Sequence, residues 1–261
     1  MPVRESYAEG APSWVDLSTA DVEGAMAFYS ALFGWNWEQN ETGEPGSYYY
    51  VASLNGHAAA GLHHQHQEQV DMGVLPTWNL HLNVADVDAT MRKVEANGGS
   101  VLAPAFDVMG AGRLGVAAEP SGAVVCFWQA GAHIGAGVVD EPGAYCWADL
   151  VTPDPKGAVK FFTEVVGMGH GTHEMPGLGS VDFLKVGDDD VAAIVLPPAE
   201  GIPPHWQTNF AVADCDATSA QIKELGGEII VEPFDIPPGR LAVATDPSGG
   251  EFAIIELAEM H

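Results

Sequence analysis

The chain has 261 residues, 47% of them hydrophobic, and 9 Lys and Arg stand against 36 Asp and Glu for a net charge of −27. That much apolar material excludes a disordered chain and suffices for one or two packed cores, whereas the acidity excludes nucleic acid and anionic membrane surfaces as partners. With no run of eighteen apolar residues and no secretory stretch between Met1 and Trp14, the expectation is a soluble, cytoplasmic protein.

Residues 1–11 read as an N-terminal tail and 12–131 as a first domain. The first helix runs from Asp21 to Gly34, because Val22, Ala25, Met26, Tyr29, Leu32 and Phe33 step by threes and ones along one face. Asp21 suits the orphan N–H groups of the first turn, and Gly34 can close the helix in the left-handed conformation. Strands are expected at Tyr48 to Leu54 and His57 to Leu62. His57, His63, His64 and His66, spaced by glutamines and without a nearby carboxylate, read as an exposed polar loop rather than a metal site.

A second unit follows, with a helix from Asp86 to Gly98-Gly99 and a strand at Val124 to Trp128. Within it, Gly110-x-Gly112-x-x-Gly115 has the form of a dinucleotide fingerprint, but that motif works by opening a helix onto pyrophosphate. Val116-Ala117-Ala118 continues as a strand, so a turn is expected. The motif gives no support to a nicotinamide, whose binding in another manner is left open. A linker is expected over 132–142 and a second domain over 143–261, with helices from Asp154 to Gly167 and from Asp214 to Gly226-Gly227. Cys126, Cys146 and Cys215, odd in number and far apart, read as reduced thiols.

Those four aspartates are separated by 65, 68 and 60 residues (86−21, 154−86, 214−154), so one unit is written four times. The copies alternate. Trp14, Asp16, Leu17, Thr19, Asp21, Phe28 and Gly34 return at a displacement of 133, whereas Trp78, Val84, Asp86 and Thr90 return at 128. The chain is a duplicated pair of βαβββ units. Sequence leaves open whether unit one pairs with unit two or unit four, and whether the protein is a monomer or a homodimer.

The segment Asp21 to Trp35, the Asn-Gly-Gly at Asn97 to Gly99 and the Asp-Pro-Ser-Gly at Asp246 to Gly249 resemble the vicinal oxygen chelate superfamily of glyoxalase I, bleomycin-resistance proteins and extradiol dioxygenases. Ser13 to Leu17 and Gly122 to Gln129 are similar to duplicated glyoxalase-like proteins of actinobacteria. The resemblance implies an α+β fold of four βαβββ modules in two tandem halves, each forming a cupped mixed sheet. In metal-using members one ligand lies on each first strand, seven residues before the capping aspartate, and another four residues beyond the Gly of Asp-Pro-x-Gly. Here the first-strand places hold Trp14, Asn79, Trp147 and Gln207, and the last-strand places Cys126 and Ala253. The expectation is that the metal has been lost in both halves and that no cofactor is needed. Glu256, three residues past such a place, is expected to face solvent.

Strand alternation puts Asp16 beside Trp14, Asp149 beside Trp147, His81 beside Asn79, and Asn209 beside Gln207 on the inner face. With Trp128 contributing, a Trp-walled cavity suits a flat hydrophobic ligand, and burial is expected to raise the aspartate pKa values toward a range useful for proton transfer. His81 has no counterpart, Asn209 standing in its place, which points to one active cavity. The leading expectation is a metal-independent enzyme of lyase or cyclase type, working at a carbonyl or hydroxyl of an aromatic, polyketide-like molecule. Asp16 and His81 would be catalytic, with Trp14, Asn79, Trp128, Trp147, Asp149, Gln207 and Asn209 binding the substrate. The alternatives are a non-catalytic antibiotic-binding protein and a metal-dependent glyoxalase or dioxygenase with relocated ligands.

Overall fold

The computed structural model describes residues 3–43, 46–175 and 179–258. Unit one comprises β1 (Pro12–Thr19), α1 (Val22–Phe33), β2 (Asn36–Glu41), β3 (Tyr48–Leu54) and β4 (His57–His64), and a short helix, α2 (Gln67–Asp71), leads out of it. Unit two is β5 (Thr77–Asn83), α3 (Val87–Ala96), β6 (Ser100–Val108), β7 (Gly112–Ala118) and β8 (Val124–Ala130). The second half repeats the order. Unit three is β9 (Tyr145–Val151), α4 (Pro155–Val166), β10 (Gly169–Met175), β11 (Gly179–Val186) and β12 (Asp189–Val195); unit four is β13 (His205–Ala211), α5 (Cys215–Glu224), β14 (Glu228–Ile236), β15 (Gly239–Thr245) and β16 (Glu251–Leu257).

The helices form where local chemistry places them. Asp21, Asp86, Asp154 and Asp214 each accept from the backbone N–H three residues on, and Gly34 and Gly167 close their helices at φ of 75° and 72°. Each half is one eight-stranded mixed sheet, in the order β2-β3-β4-β1-β5-β8-β7-β6 and β10-β11-β12-β9-β13-β16-β15-β14. Unit one therefore pairs with unit two, and unit three with unit four. The seam is antiparallel: Trp14 faces His81 and Asp16 faces Asn79 across β1 and β5, and Trp147 faces Asn209 and Asp149 faces Gln207 across β9 and β13.

Two features depart from the sequence reading. The strand expected at His57 to Leu62 runs on through His63 and His64, which lie in β4, hydrogen-bonded between β3 and β1, rather than in a loop. Glu256 does not point freely to solvent; its carboxylate accepts from the Cys215 N–H at the start of α5, as the Gln129 amide oxygen does from Val87 at the start of α3. A polar residue at that place satisfies an orphan helix donor in both halves.

The halves share a core on the helical side of the sheets. Tyr29 and Phe33 of α1 pack against Phe252 and Phe210 of the second half, at centroid distances of 5.6 and 5.1 Å. In the reciprocal contact a Cβ on Gly99 would meet the Phe161 ring at 2.8 Å, so the glycine admits α4. Tyr29 is fully buried; its hydroxyl accepts from Trp78 Nε1 and donates to Asp246 Oδ2, both at 3.1 Å. The copy carries Phe162 in place of Tyr29, and buried Trp206 Nε1, the counterpart of Trp78, has no hydrogen-bond partner. Phe162→Tyr should therefore supply the missing acceptor and stabilise by ~1 kcal/mol, raising Tm by ~2–4 °C. An unchanged or lowered Tm on thermal unfolding would show that the core has no room for the hydroxyl.

Candidate functional site

Alternation along β1 turns Val15 and Leu17 to the helices and Trp14 and Asp16 to the opposite, concave face. Asp16 is only 5% exposed yet is surrounded by donors. Tyr49 donates its hydroxyl to Oδ2 at 2.9 Å, Asn79 donates to Oδ1 at 2.9 Å, and Trp14 Nε1 donates to the Tyr49 oxygen at 2.7 Å. His81 Nε2 lies 3.1 Å from Oδ2 and His63 Nε2 3.8 Å from Oδ1. The His81 contact is within ion-pair distance but out of line with the ring N–H, and both imidazole nitrogens lack a hydrogen-bond partner among the described residues.

Gly61 makes this arrangement possible. It sits opposite Asp16 on β4, and a Cβ there would lie 2.0 Å from the Tyr49 hydroxyl and 2.8 Å from Asp16 Cβ. Cys126 adjoins His81 on β8, and His133, from the stretch joining the halves, meets the Trp14 ring edge-on at 4.5 Å.

The charge balance follows from these contacts. Burial pushes the Asp16 carboxyl up, but the charge and contact of His81, the charge of His63 and the Asn79 amide outweigh it and hold the group well below the usual carboxylate range. This corrects the expectation of a raised Asp16: it is an ionised partner, not a proton donor. Burial, then the Asp16 charge, keeps the Tyr49 hydroxyl protonated as a donor, and the same two causes hold the Cys126 thiol protonated. Burial, followed by the charge of His81, lowers His133 to about 4.

The second half has the same backbone and a different interior. By register, Gly61 corresponds to Ala193, His63 to Val195, Tyr49 to Val181, His81 to Asn209 and Cys126 to Ala253. Asp149 keeps its place, accepting from Asn209 Nδ2 at 2.8 Å and Trp147 Nε1 at 3.1 Å. With no imidazole beside it, burial prevails over those two hydrogen bonds and raises its carboxyl to about 6, as the sequence reading anticipated.

Of the residues singled out from sequence, Trp14, Asp16, Asn79 and His81 converge in the first half, and Trp147, Asp149 and Asn209 in the second. Gln207 is more peripheral: with its amide turned to satisfy both ends, it donates to Glu251 at 2.7 Å and accepts from Ala253 N at 3.2 Å. Trp14 and Trp128 do not wall an open cavity, being 4% and 6% exposed, and Trp128 Nε1 donates to the His133 carbonyl at 2.9 Å. The accessible surface above Asp16 belongs instead to half-buried Tyr49, His63 and Asn79. Sequence reasoning missed Tyr49, Gly61, His63 and His133. Alternation from Gly61 to His63 was the available signal for two of them, hidden by reading the histidines as a loop.

The places at which metal-using relatives of this architecture supply ligands do not fit a metal here. Trp14 and Trp147 offer only an N–H donor and Ala253 nothing, while the Asn79 amide is engaged by Asp16 and the Gln207 amide by Glu251 and Ala253, which leaves a single thiol, Cys126. Among the described residues no group of three or more His, Cys, Asp or Glu is arranged to hold an ion. No helix among them is long and apolar enough to cross a membrane.

Comparison with known proteins agrees with this architecture. The family model of the Glyoxalase/Bleomycin resistance protein/Dioxygenase superfamily matches twice, over residues 11–127 and 138–254. The putative glyoxylase CFP32 of Mycobacterium tuberculosis is 42% identical over 99% of both chains, and the anthracycline biosynthesis protein DnrV of Streptomyces peucetius is 35% identical over 97% of this chain and 95% of its own. Among solved structures, the 2,3-dioxygenase LapB of Pseudomonas sp. KL28 superposes with a TM-score of 0.65 at 17% identity, covering 96% of this chain and 93% of its own. The Mn(II)-bound glyoxalase of Novosphingobium aromaticivorans gives 0.62 at 18%, covering 96% and 84%. At such identities these two share the fold alone. The chain, with its paired βαβββ units curled into two eight-stranded sheets, belongs to the glyoxalase/bleomycin resistance/dioxygenase superfamily.

Proposed function

We propose that the protein is a metal-independent acid–base enzyme acting at a carbonyl or hydroxyl of an aromatic, polyketide-like small molecule, with the concave face of the first half as its active site. One observation carries this reading. The ionisable cluster of buried Asp16 and His81 with half-buried His63 and Tyr49 occurs in one half only, while the other half builds the same sheet with Val195, Asn209 and Val181 in place of the imidazoles and the phenol. Burying charges is unfavourable, and the fold does not require it, so the cluster is kept for chemistry.

Asp16 acts as the fixed anion beside which the two imidazoles are placed. His63, 31% exposed at its side chain, and the neutral Tyr49 hydroxyl are the groups a substrate meets. In a dehydration, His63 would take the proton from carbon beside a carbonyl, and a protonated group of the cluster would return one to the departing hydroxyl, releasing water. The similarity to a protein of anthracycline biosynthesis supports an aromatic polyketide as the substrate class.

The test is turnover of an aromatic polyketide panel, followed by mass spectrometry, with His81→Ala and Gly61→Ala as variants. Gly61→Ala displaces the Tyr49 hydroxyl while leaving a backbone that Ala193 shows to be tolerated. Both variants should lower kcat by ~10²–10³-fold while ligand still quenches tryptophan fluorescence. Unchanged kcat in both would remove the proposal, and saturable binding without any product in the wild type would make the protein a sequestering one.

A further inference from the structure

The second half poses a question that the proposed reaction does not answer. Asp149 lies on the concave face of β9 with two neutral donors, Trp147 Nε1 and Asn209 Nδ2, and no Lys, Arg or His among the described residues approaches it within ion-pairing distance. Lys185 and His173, on the neighbouring β11 and β10, are both engaged by Asp190, at 2.9 and 3.0 Å. From β13 come the Gln207 and Asn209 amides, with His205 at the start of the strand turned to Glu251. From β16 comes Glu251, itself held by the Gln207 amide and 3.8 Å from His205. In the first half the matching aspartate has two imidazoles, and here those two places are Val195 and Asn209.

A second observation is independent of the carboxylate. Asn209 is 1% exposed, its Nδ2 is committed to Asp149, and its Oδ1 has no partner among the described residues. A buried acceptor left unpaired beside a buried anion forms a site that wants donors. The residues around it are apolar, buried at Ala253 and half-buried to exposed on either side. Trp147 and Phe183, 6.3 Å apart, are half-buried, and register carries the row from Trp147 through Asn209, Ala253 and Val243 to Val231, which is 40% exposed. Replacing Tyr49 and His63 by Val181 and Val195 removes the polar groups that overlie the aspartate in the first half.

We infer that the concave face of the second half binds a protonated amine carried on an apolar or aromatic body, the ammonium meeting Asp149 and Asn209 Oδ1 and the body lying against Trp147 and Phe183. The ligand thus supplies the cation that the protein supplies to itself in the first half. Free of ligand, the carboxyl titrates at about 6, so it is ionised at pH 7.5 and ready for a cation. This site is separate from the proposed reaction and does not depend on it.

The probe is 1-naphthylmethylamine, compared at pH 7.5 with the neutral 1-naphthylmethanol by isothermal titration calorimetry on the full chain. The amine should bind at least about tenfold more tightly than the alcohol, and Asp149→Asn should abolish that preference. Val195→His, which installs the first half's imidazole beside Asp149, should weaken the amine by about tenfold and leave the alcohol unchanged. Asp16→Asn protein that is folded by circular dichroism should bind the amine unaffected, and a loss of binding in that folded protein would place the site in the first half and overturn the inference. Absence of saturable amine binding below ~5 mM, equal affinity for amine and alcohol, or an undiminished preference in a folded Asp149→Asn protein would each overturn the inference.

Discussion

Asp16→Asn should destabilise the protein by ~3–5 kcal/mol near neutral pH and lower turnover by ~10²–10⁴-fold, and the loss of stability should shrink as the solution is acidified below pH ~4. The carboxylate accepts from Tyr49 and Asn79 at once and sits beside two imidazoles. An amide offers one acceptor oxygen and an NH₂ group on its other side, so the Tyr49 and Asn79 donors can no longer both be accepted, and both imidazoles lose their anion. The pH dependence has a definite sign. The folded-state pKa lies below the unfolded one, so the stability Asp16 contributes is fully present above the unfolded value near 4 and is lost as pH falls toward the folded value. The wild-type and variant Tm values should therefore stand farthest apart near neutrality and converge toward pH 3. A gap of the same size at both ends would mean that packing and not charge holds the cluster together.

What the sequence disclosed depended on the range of the interaction that fixed each feature. The aspartate caps and the αL glycines were legible because each is settled within one helical turn, and the fourfold repeat followed from them. Alternation then placed Trp14 with Asp16 and Asn79 with His81 on one face, since period two is a property of a single strand. Tyr49 and His63 reach the same carboxylate only because β4 lies parallel to β1 and Gly61 leaves space between them, and no local pattern encodes that neighbourhood. The run His63-His64-Gln65-His66 has too little apolar character to read as the end of a strand, although β4 extends through His64. The same nonlocality explains why the charge on Asp16 was misjudged and that on Asp149 was not. Burial is readable from a Trp-x-Asp strand, but which imidazoles arrive from other strands is not. Whether unit one paired with unit two or four was hidden because units two and four present similar first strands.

Tyr29→Ala should be the most damaging change on the helical side, removing ~4–7 kcal/mol and unfolding both halves together. The ring is wholly buried among Phe28, Phe33, Trp35, Trp78 and Phe252, at centroid distances of 4.9 to 6.0 Å, and its loss leaves a large cavity worth about 3–5 kcal/mol. The hydroxyl adds to this, for Trp78 Nε1 loses its acceptor, at a cost of about 1–3 kcal/mol. Asp246 is affected less because Ser248 and Gly250 still donate to it. Tyr29→Phe separates the two contributions and should cost only ~1–2 kcal/mol, since the copy manages with Phe162 and an unpaired Trp206 Nε1. Total stabilities of ~5–15 kcal/mol are usual for folded proteins, so the alanine variant stands close to the unfolding threshold. The residues around Tyr29 come from both halves, Trp35 and Trp78 from one and Phe252 from the other, so the damage falls on a shared core. Denaturant unfolding should remain a single transition, displaced to lower midpoint, by tryptophan fluorescence and circular dichroism alike. Two separated transitions would show instead that each half carries its own stability and that the contact through Tyr29 only docks them.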